Sequence, residues 1–479
     1  MRSKNKLIKG TAFINGRAIE SKKTFDVINP ATGEIIVEVS DLSLLEAEKA
    51  IDIAFDKWPT WRTTDIAKRS EILRKWYNLI IKHSSELAEI MTLESGKPLE
   101  ESKVEVKYGA SFISWFAEEA FRAYGDQITP PENGKQIVTL RQSVGVAAAI
   151  TPWNFPLAMV TRKVAPALAA GCTVVLKPAS QTPLTAIAIA HLAQEAGLPD
   201  GVFNVITSKD SKGIGKLLST NGKVRKLSFT GSTGVGKTLM QQAASTIKNV
   251  SFELGGNAPF LVFEHANIDA AVEGAIASKF RNSGQTCVAV NRFLVQDSIF
   301  DEFSKKLTKA ISRLKVGNGL EKNIKIGPLI NKDGLKKVKE HVDDAIKKGA
   351  KVLLGAKPIT GLFYEPTVLT DVPLNAKIAH EETFGPVASL FRFDTEEEAI
   401  QIANDTEFGL AAYFYSDNVK QCWRVATALE AGMVGINEGG ISTAIAPFGG
   451  VKESGLGREG SKYGLEEYME MKYLCFGLE

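Results

Sequence analysis

VAAAITPWNFPLAMVTRKVAPALAAGCTVVLKPASQTPLTAIAIAHLAQEAGLPDGVFNVI, residues 146–206, alternates short apolar runs with stretches of helical spacing. Strand-like runs at 146–150, 173–176 and 202–206 bracket helical segments at 162–170 and 183–196. A strand, a helix and a further strand make the unit from which parallel sheets are built, because the crossover needs a dozen or more residues. The expected fold is therefore α/β, a doubly wound parallel sheet whose ligands sit beyond the carboxyl ends of its strands. A second alternating block spans 266–444, with strand-like 293–295, 351–354 and 387–391, and predicts a second α/β domain.

Outward from these blocks, 42–55 and 66–92 carry apolar residues at helical spacing, with Asp41 and Asp65 placed as caps. Between Gly125 and Gly145 the pattern changes to a polar arm around PENGK flanked by alternating QIVTL at 136–140, which predicts a hairpin. The closing stretch is glycine-rich, PFGGVKESGLGREG at 447–460, and ends in a strand-like tail at 468–476. At 479 residues the chain exceeds one ordinary core and should divide into two or three packed units.

Composition narrows the function classes. Hydrophobic residues are 44%, charged residues 24% and the formal net charge is +3, which indicates neither disorder nor a nucleic-acid footprint. The basic opening MRSKNKLIKG reads as a solvated terminus; no apolar h-region follows it and no run is long enough for a bilayer. Cys172, Cys287, Cys422 and Cys475 lie far apart without CxxC pairing, against a disulfide framework or zinc site and consistent with a reducing, cytoplasmic setting. His83, His191, His265, His341 and His380 show no ligand spacing, so no metal is implied.

Two motifs carry chemistry. FRNSGQTC, 280–287, places Cys287 after a small polar turn that can leave a thiol exposed to attack a carbonyl carbon, with backbone N–H groups near the oxyanion. The competing reading is a small buried hydrophobe, the common fate of a free cysteine. FTGSTGVGKT, 229–238, satisfies G-x-x-x-x-G-K-[ST] through Gly231, Gly236, Lys237 and Thr238. Such a turn suits any phosphate, a dinucleotide pyrophosphate included. A triphosphatase would further need an acid for magnesium, for which Glu264 is a poor candidate.

ITPWNFP at 150–156, LKPAS at 176–180, FELGGNAP at 252–259 and EETFGP at 381–386 join FRNSGQTC and the PFGG segment in an order and spacing that resemble the aldehyde dehydrogenase superfamily over nearly the whole chain. The resemblance implies a Rossmann-type dinucleotide-binding domain from 1–124 and 146–254, a catalytic domain from 255–452, and oligomerisation elements at 125–145 and 453–479. It implies Cys287 as nucleophile, its ionisation helped by the turn and neighbouring dipoles. Asn154 becomes the oxyanion donor beside the Cys287 backbone N–H, and Glu253 the base that activates water. The alternatives are a turn asparagine and a lysine-paired glutamate. Cofactor contacts are implied at Trp153, Asn154, Lys177, Pro178, Ala179, Ser180, Gly231, Ser232, Leu254, Glu382 and Phe384. With Ser180 rather than an acid facing the ribose 2′ position, Lys177 and Ser180 favour NADP over NAD; otherwise Ser180 only caps its turn.

Finer features, including FRNSGQTCVAVNR and NEGGIS at 437–442, resemble the succinate-semialdehyde dehydrogenases, enzymes of GABA degradation. That resemblance implies Arg162, Arg281 and Ser442 as the distal carboxylate site, arginine presenting a planar fork that suits a carboxylate. Either arginine could instead be a structural ion-pair partner. A longer substrate such as glutarate semialdehyde stays open, since chain length is not written in motifs. A P-loop hydrolase and a catalytically silent binding protein explain less. Ala289 stands where some relatives carry a second cysteine, so a reversible disulfide with Cys287 is not expected. The arm and tail imply a homodimer or homotetramer, edge strands being prone to pair.

Overall fold

In the computed structural model, which describes residues 5–478, the 146–206 stretch forms three parallel strands, Val146–Ile150, Thr173–Lys177 and Phe203–Val205. Helices Ala158–Ala170 and Leu184–Glu195 connect them. Two more parallel strands, Val224–Thr230 and Asn249–Glu253, join on the far side of Val146–Ile150. The strand order therefore reverses between Val146–Ile150 and Val224–Thr230, which leaves a crevice at their carboxyl ends. The antiparallel strands Ala12–Ile14 and Arg17–Ile19 extend one edge of this sheet, and Gly455–Leu456 closes the other.

Helices cover both faces. Ala147, Ala149, Val174 and Leu176 pack with Val160, Val164, Ile187 and Leu192, while Val146, Ala148, Val175 and Leu227 pack with Ile51, Ile214 and Leu239. That alternation sends successive side chains into opposite cores, and it explains the continuously apolar strands of the opening stretch. The second sheet has seven strands in the order Lys351–Leu354, Thr367–Thr370, Val387–Phe393, Val290–Gln296, Ala258–Val262, Ala411–Tyr415 and Met433–Ile436; all but the first pairing are parallel. Phe260, Val262, Phe293 and Val295 bury on one face, Leu261 and Leu294 on the other. The arm is a hairpin of Gln127–Ile128 and Lys135–Ser143, and Met469–Gly477 pairs antiparallel along all of the longer strand.

Several local expectations are corrected. Helix Leu44–Arg62 is capped not by Asp41 but by Ser43, in a reciprocal box with Glu46; Asp41 instead accepts from the Ser208 hydroxyl and the Lys209 N–H. Asp65 stands at the start of Ile66–Lys82 but its side chain makes no capping bond, and the 66–92 segment is two helices, Ile66–Lys82 and Ser84–Ser95. A helix absent from the sequence reading, Leu99–Glu119, packs across Ala158–Ala170. Residues 1–4 of the basic opening lie outside the described residues; the rest is docked rather than solvated, with Asn5 donating to the Glu86 carbonyl and Leu7 and Ile8 against the core. Among the described residues, no helix is long and apolar enough to cross a membrane.

Candidate active site

Helix Ile268–Lys279 of the second domain ends against a turn of unusual hand. Asn282, Ser283 and Gly284 take φ of 50°, 58° and 75° in succession, three left-handed residues in a row. Each non-glycine residue there costs on the order of 1–2 kcal/mol, so the run persists only because its surroundings hold it. The Ser283 hydroxyl donates to the Gly327 carbonyl, and the Gln285 amide donates to Asn282 and Pro328 carbonyls while its oxygen accepts from Ile330 N–H. The Asn282 amide donates to the carbonyls of Asn154 and Gln285, both at 3.1 Å.

This turn delivers Cys287, partly buried, into a cavity of about 500 Å³ between the two sheets. Its thiol does not have the low pKa expected of the turn. Burial pushes it up to about 12, the charges of Glu382 and Glu253 add to the rise, and Arg162 and Arg281 only partly oppose it. The resting thiol is thus protonated at neutral pH, and attack requires a proton acceptor.

Asn154 lines the same cavity. It is buried, its amide nitrogen donates to the Gln285 carbonyl at 3.1 Å, and its side-chain oxygen has no hydrogen-bond partner. The amide is thereby held on the Cys287 turn rather than on its own backbone. Glu253 ends its strand one residue before Leu254, which lines the cavity. Its own carboxylate is buried with both oxygens unpartnered and lies against Gly449, behind the cavity wall. Burial, then the nearby Glu459, raises its pKa well above the usual carboxylate range, against Arg162, Lys163 and Arg458. Among the described residues no lysine pairs with it at ion-pair distance.

The crevice at the strand reversal leads into this cavity. Trp153, Gly231, Ser232, Leu254, Glu382 and Phe384 all line it. Ser232 opens helix Thr233–Ala243 and its side chain makes no capping bond, so the first N–H groups remain open toward the crevice. Trp153 and Phe384 meet edge to face, centroids 5.5 Å apart, with Phe384 at φ 56°. Glu382 accepts from Gly256 N–H and is pushed up to about 7 by burial. Lys177, Pro178, Ala179 and Ser180 lie outside the cavity at the end of the adjoining strand, where the Lys177 carbonyl accepts from Thr151 N–H. Lys177 is buried and donates only to the Pro178 carbonyl; burial lowers it to about 8, against the attraction of Asp210 and Asp41. The Ser180 hydroxyl lies 3.4 Å from Gln181. A phosphate group fits here, because it would supply the directly bonded anion that Lys177 lacks among the described residues, Asp210 and Asp41 acting only from a distance.

A second cavity, about 490 Å³, is lined by Tyr108, Phe155, Arg281 and Ser442. Arg281 forms no ion pair within 4 Å among the described residues and stacks over Phe155 at 5.1 Å. Arg162 differs: it is fully buried, ion-paired with Glu459 and set over the Phe448 ring at 3.9 Å, with one terminal nitrogen left unpartnered. The structure therefore brings Arg281 and Ser442 together in the cavity and holds Arg162 in the wall. Tyr108 was not legible as a site residue; its buried hydroxyl has no partner. Lys279 was also missed, a fully buried amine without a hydrogen bond that feels the Glu382 charge.

The phosphate-loop pattern does not form a triphosphate site. Lys237 is exposed and paired with Glu453 at 2.7 Å, the Thr238 hydroxyl returns to the Gly234 carbonyl, and Glu264 is an exposed residue following a strand of the other sheet. Among the described residues no group of three or more His, Cys, Asp or Glu is placed to hold a metal ion.

A cysteine at a turn between two α/β sheets, lining the cavity at the strand reversal while Arg281 of the same turn lines a second cavity, defines a dinucleotide-linked oxidoreductase architecture. The family model described as Aldehyde dehydrogenase family matches residues 18–474, and the chain belongs to that family. It is 55% identical over 476 residues to the NADP(+) succinate-semialdehyde dehydrogenase GabD of Escherichia coli strain K12, covering 98% of each chain. It is equally 55% identical over 474 residues to a glutarate-semialdehyde dehydrogenase of Pseudomonas putida strain KT2440, again 98% of each. The crystal structure of succinate-semialdehyde dehydrogenase from Burkholderia pseudomallei superposes with a TM-score of 0.97 at 54% identity, covering 98% of both chains.

Proposed function

We propose that this chain oxidises succinate semialdehyde to succinate with NADP, consuming water and releasing a reduced dinucleotide. The observation that carries the substrate is Arg281, an unpaired guanidinium beside Ser442 in the tunnel. Its fork suits the distal carboxylate, and the unpartnered Arg162 nitrogen supports the same end of the substrate from the wall. In this reading Cys287 adds to the aldehyde carbon as its proton leaves for a base, and Asn154 with the Cys287 N–H steadies the oxygen that gains charge. A nicotinamide held by Glu382, Phe384 and Trp153 would supply the acceptor for the aldehyde hydrogen and its electron pair. Glu253, its proton affinity already raised, takes a proton from the water that cleaves the resulting thioester at Cys287.

Lys177 and Ser180 support the 2′-phosphate, Ser232 and Gly231 the pyrophosphate, and Glu382, Phe384 and Trp153 the nicotinamide end. Residues 1–124 and 146–254 form the dinucleotide-binding domain in this assignment, 255–452 the catalytic domain, and 125–145 with 453–479 the oligomerisation elements. Exposed Ile128, Leu140, Met471, Tyr473 and Phe476 on the arm sheet favour a homodimer or homotetramer. The setting is cytoplasmic and the role one in GABA degradation. Glutarate semialdehyde is the second reading, favoured by the equal identity to an enzyme named for it.

Replacing Arg281 by alanine tests the substrate. The KM for succinate semialdehyde should rise by roughly 10- to 100-fold, as expected for a lost charge-assisted pair. A neutral aldehyde of equal length should be affected by less than about threefold. Equal losses on both would remove the carboxylate role, and running glutarate semialdehyde alongside ranks the two chain lengths.

A further inference from the structure

Helix Leu99–Glu119, which carries Tyr108 along the tunnel, also sends Glu101 to the nucleophile turn. The Glu101 carboxylate accepts the backbone N–H of Asn282 at 2.6 Å, the first residue of the left-handed run. Asn282 is the hub of this corner: its side-chain amide reaches the carbonyls of Asn154 and Gln285, and the Gln285 carbonyl in turn holds the Asn154 amide. Lys97, paired with the buried Glu105, donates to the same Asn154 carbonyl at 2.6 Å. Glu101 is the one carboxylate bonded to the backbone of the run among the described residues. Burial raises the Glu101 carboxyl to about 7, against the Asn282 N–H and the Lys97, Arg281 and Lys325 charges, so it is the short bond that holds a backbone conformation which disfavours side chains.

We infer that Glu101 is a positioning residue for the reaction: by holding the Asn282 N–H it sets the left-handed turn that aligns the Cys287 sulfur with the Asn154 amide. This rests on reading Cys287 as nucleophile and Asn154 as oxyanion donor. Glu101 also lines the tunnel, but in this scheme it acts through the Asn282 N–H and not on the reacting atoms or the cofactor. Its loss lets the turn relax, the Asn282 side chain moves with its backbone, and the distance between sulfur and amide is no longer fixed. Arg281 immediately precedes Asn282, but the effect on alignment does not depend on the charge of the substrate.

The experiment compares Glu101→Ala and Glu101→Gln in the full-length enzyme, with succinate semialdehyde and a neutral aldehyde of equal length. Glu101→Ala should lower kcat by roughly 10- to 100-fold for both aldehydes, the scale of a small misplacement of reacting groups. NADPH affinity by fluorescence should be unchanged, which separates misalignment from unfolding. Glu101→Gln keeps an acceptor for the N–H and should recover kcat to within about threefold of the parent, a neutral acceptor being the weaker one. A glutamine variant as slow as the alanine one overturns the proposal, because charge rather than the bond would then matter. So does an unchanged kcat in Glu101→Ala, or a loss confined to the carboxylated aldehyde. An active Cys287→Ala control would instead overturn the nucleophile reading, so the two failures are distinguishable.

Discussion

The two sides of Cys287 are built from different materials. On the dinucleotide side the lining consists of strand ends, a helix start and turns: Trp153 follows one strand, Gly231 and Ser232 another, and Leu254 a third. On the tunnel side it consists of side chains from one face of a helix, Glu101, Glu105 and Tyr108, with Arg281 and Ser442 opposite. Backbone geometry recognises what every dinucleotide shares, whereas side chains alone distinguish one aldehyde from another. Cys287 lines the first cavity and Arg281, six residues earlier on the same turn, lines the second, so removing the sulfur should disable the chemistry while sparing either binding surface. Cys287→Ala is expected to lower the rate of reduced-dinucleotide formation by about 10⁴ or more, the scale seen when a nucleophile is lost. Cofactor affinity, measured by fluorescence titration, should stay within twofold or so of the parent. A variant that still turns over at the parent rate would mean that the junction does no covalent chemistry.

Glu253 separates the comparison in time rather than space, since it stands behind the cavity wall and, in the proposed scheme, acts only once the acyl group is on the sulfur. Its carboxylate is buried, unpartnered and of raised proton affinity, as a water-activating base requires. Glu253→Gln should slow steady turnover by roughly 10² to 10⁴, the usual range for loss of a general base. A stopped-flow trace should retain a burst of reduced dinucleotide stoichiometric with active sites, because the thioester still forms and only its hydrolysis stalls. If the burst vanishes as well, Glu253 also takes the thiol proton, a role that the elevated Cys287 pKa makes chemically accessible.

What the sequence disclosed follows the same divide. The parallel strands were readable because glycines, prolines and apolar runs act through the local backbone, and the motif residues Trp153, Gly231, Ser232, Glu382 and Phe384 do line one cavity. Tyr108 and Glu101 were not readable: they lie seven residues apart on a helix whose amphipathic pattern is ordinary, and their role depends on what tertiary packing sets opposite them. Arg162 shows a subtler limit. Its motif position pointed to the substrate, and the sequence did not show that Glu459, nearly 300 residues later, pairs with it and leaves one terminal nitrogen unpartnered. The thiol pKa was missed for the same reason, since burial is a property of the assembled fold and here outweighs the turn dipoles.

The smallest expected effect concerns two buried titratable groups, Glu382 of the first cavity's lining and Lys279, which feels its charge. Lys279 is fully buried and lowered to about 7, and Glu382 is raised to about 7, burial being the leading cause in each. The two make opposite contributions to stability with pH. Between about 4.5 and 7 the folded chain keeps the Glu382 proton that the unfolded chain has lost, so stability falls as pH rises. Between about 7 and 10.5 the unfolded chain holds the Lys279 proton that the folded chain has released, so stability rises again. The pair therefore costs most near neutrality. Lys279→Met should stabilise the protein there by on the order of 1–3 kcal/mol, read as a higher Tm at pH 7, and should flatten the rise above pH 7. It should leave the KM for the aldehyde alone, because Lys279 lines neither cavity. A lower Tm at pH 7 would show that the amine is held by a favourable interaction with Glu382, and the dinucleotide side would then owe its shape to a buried charge pair as well as to its backbone turns.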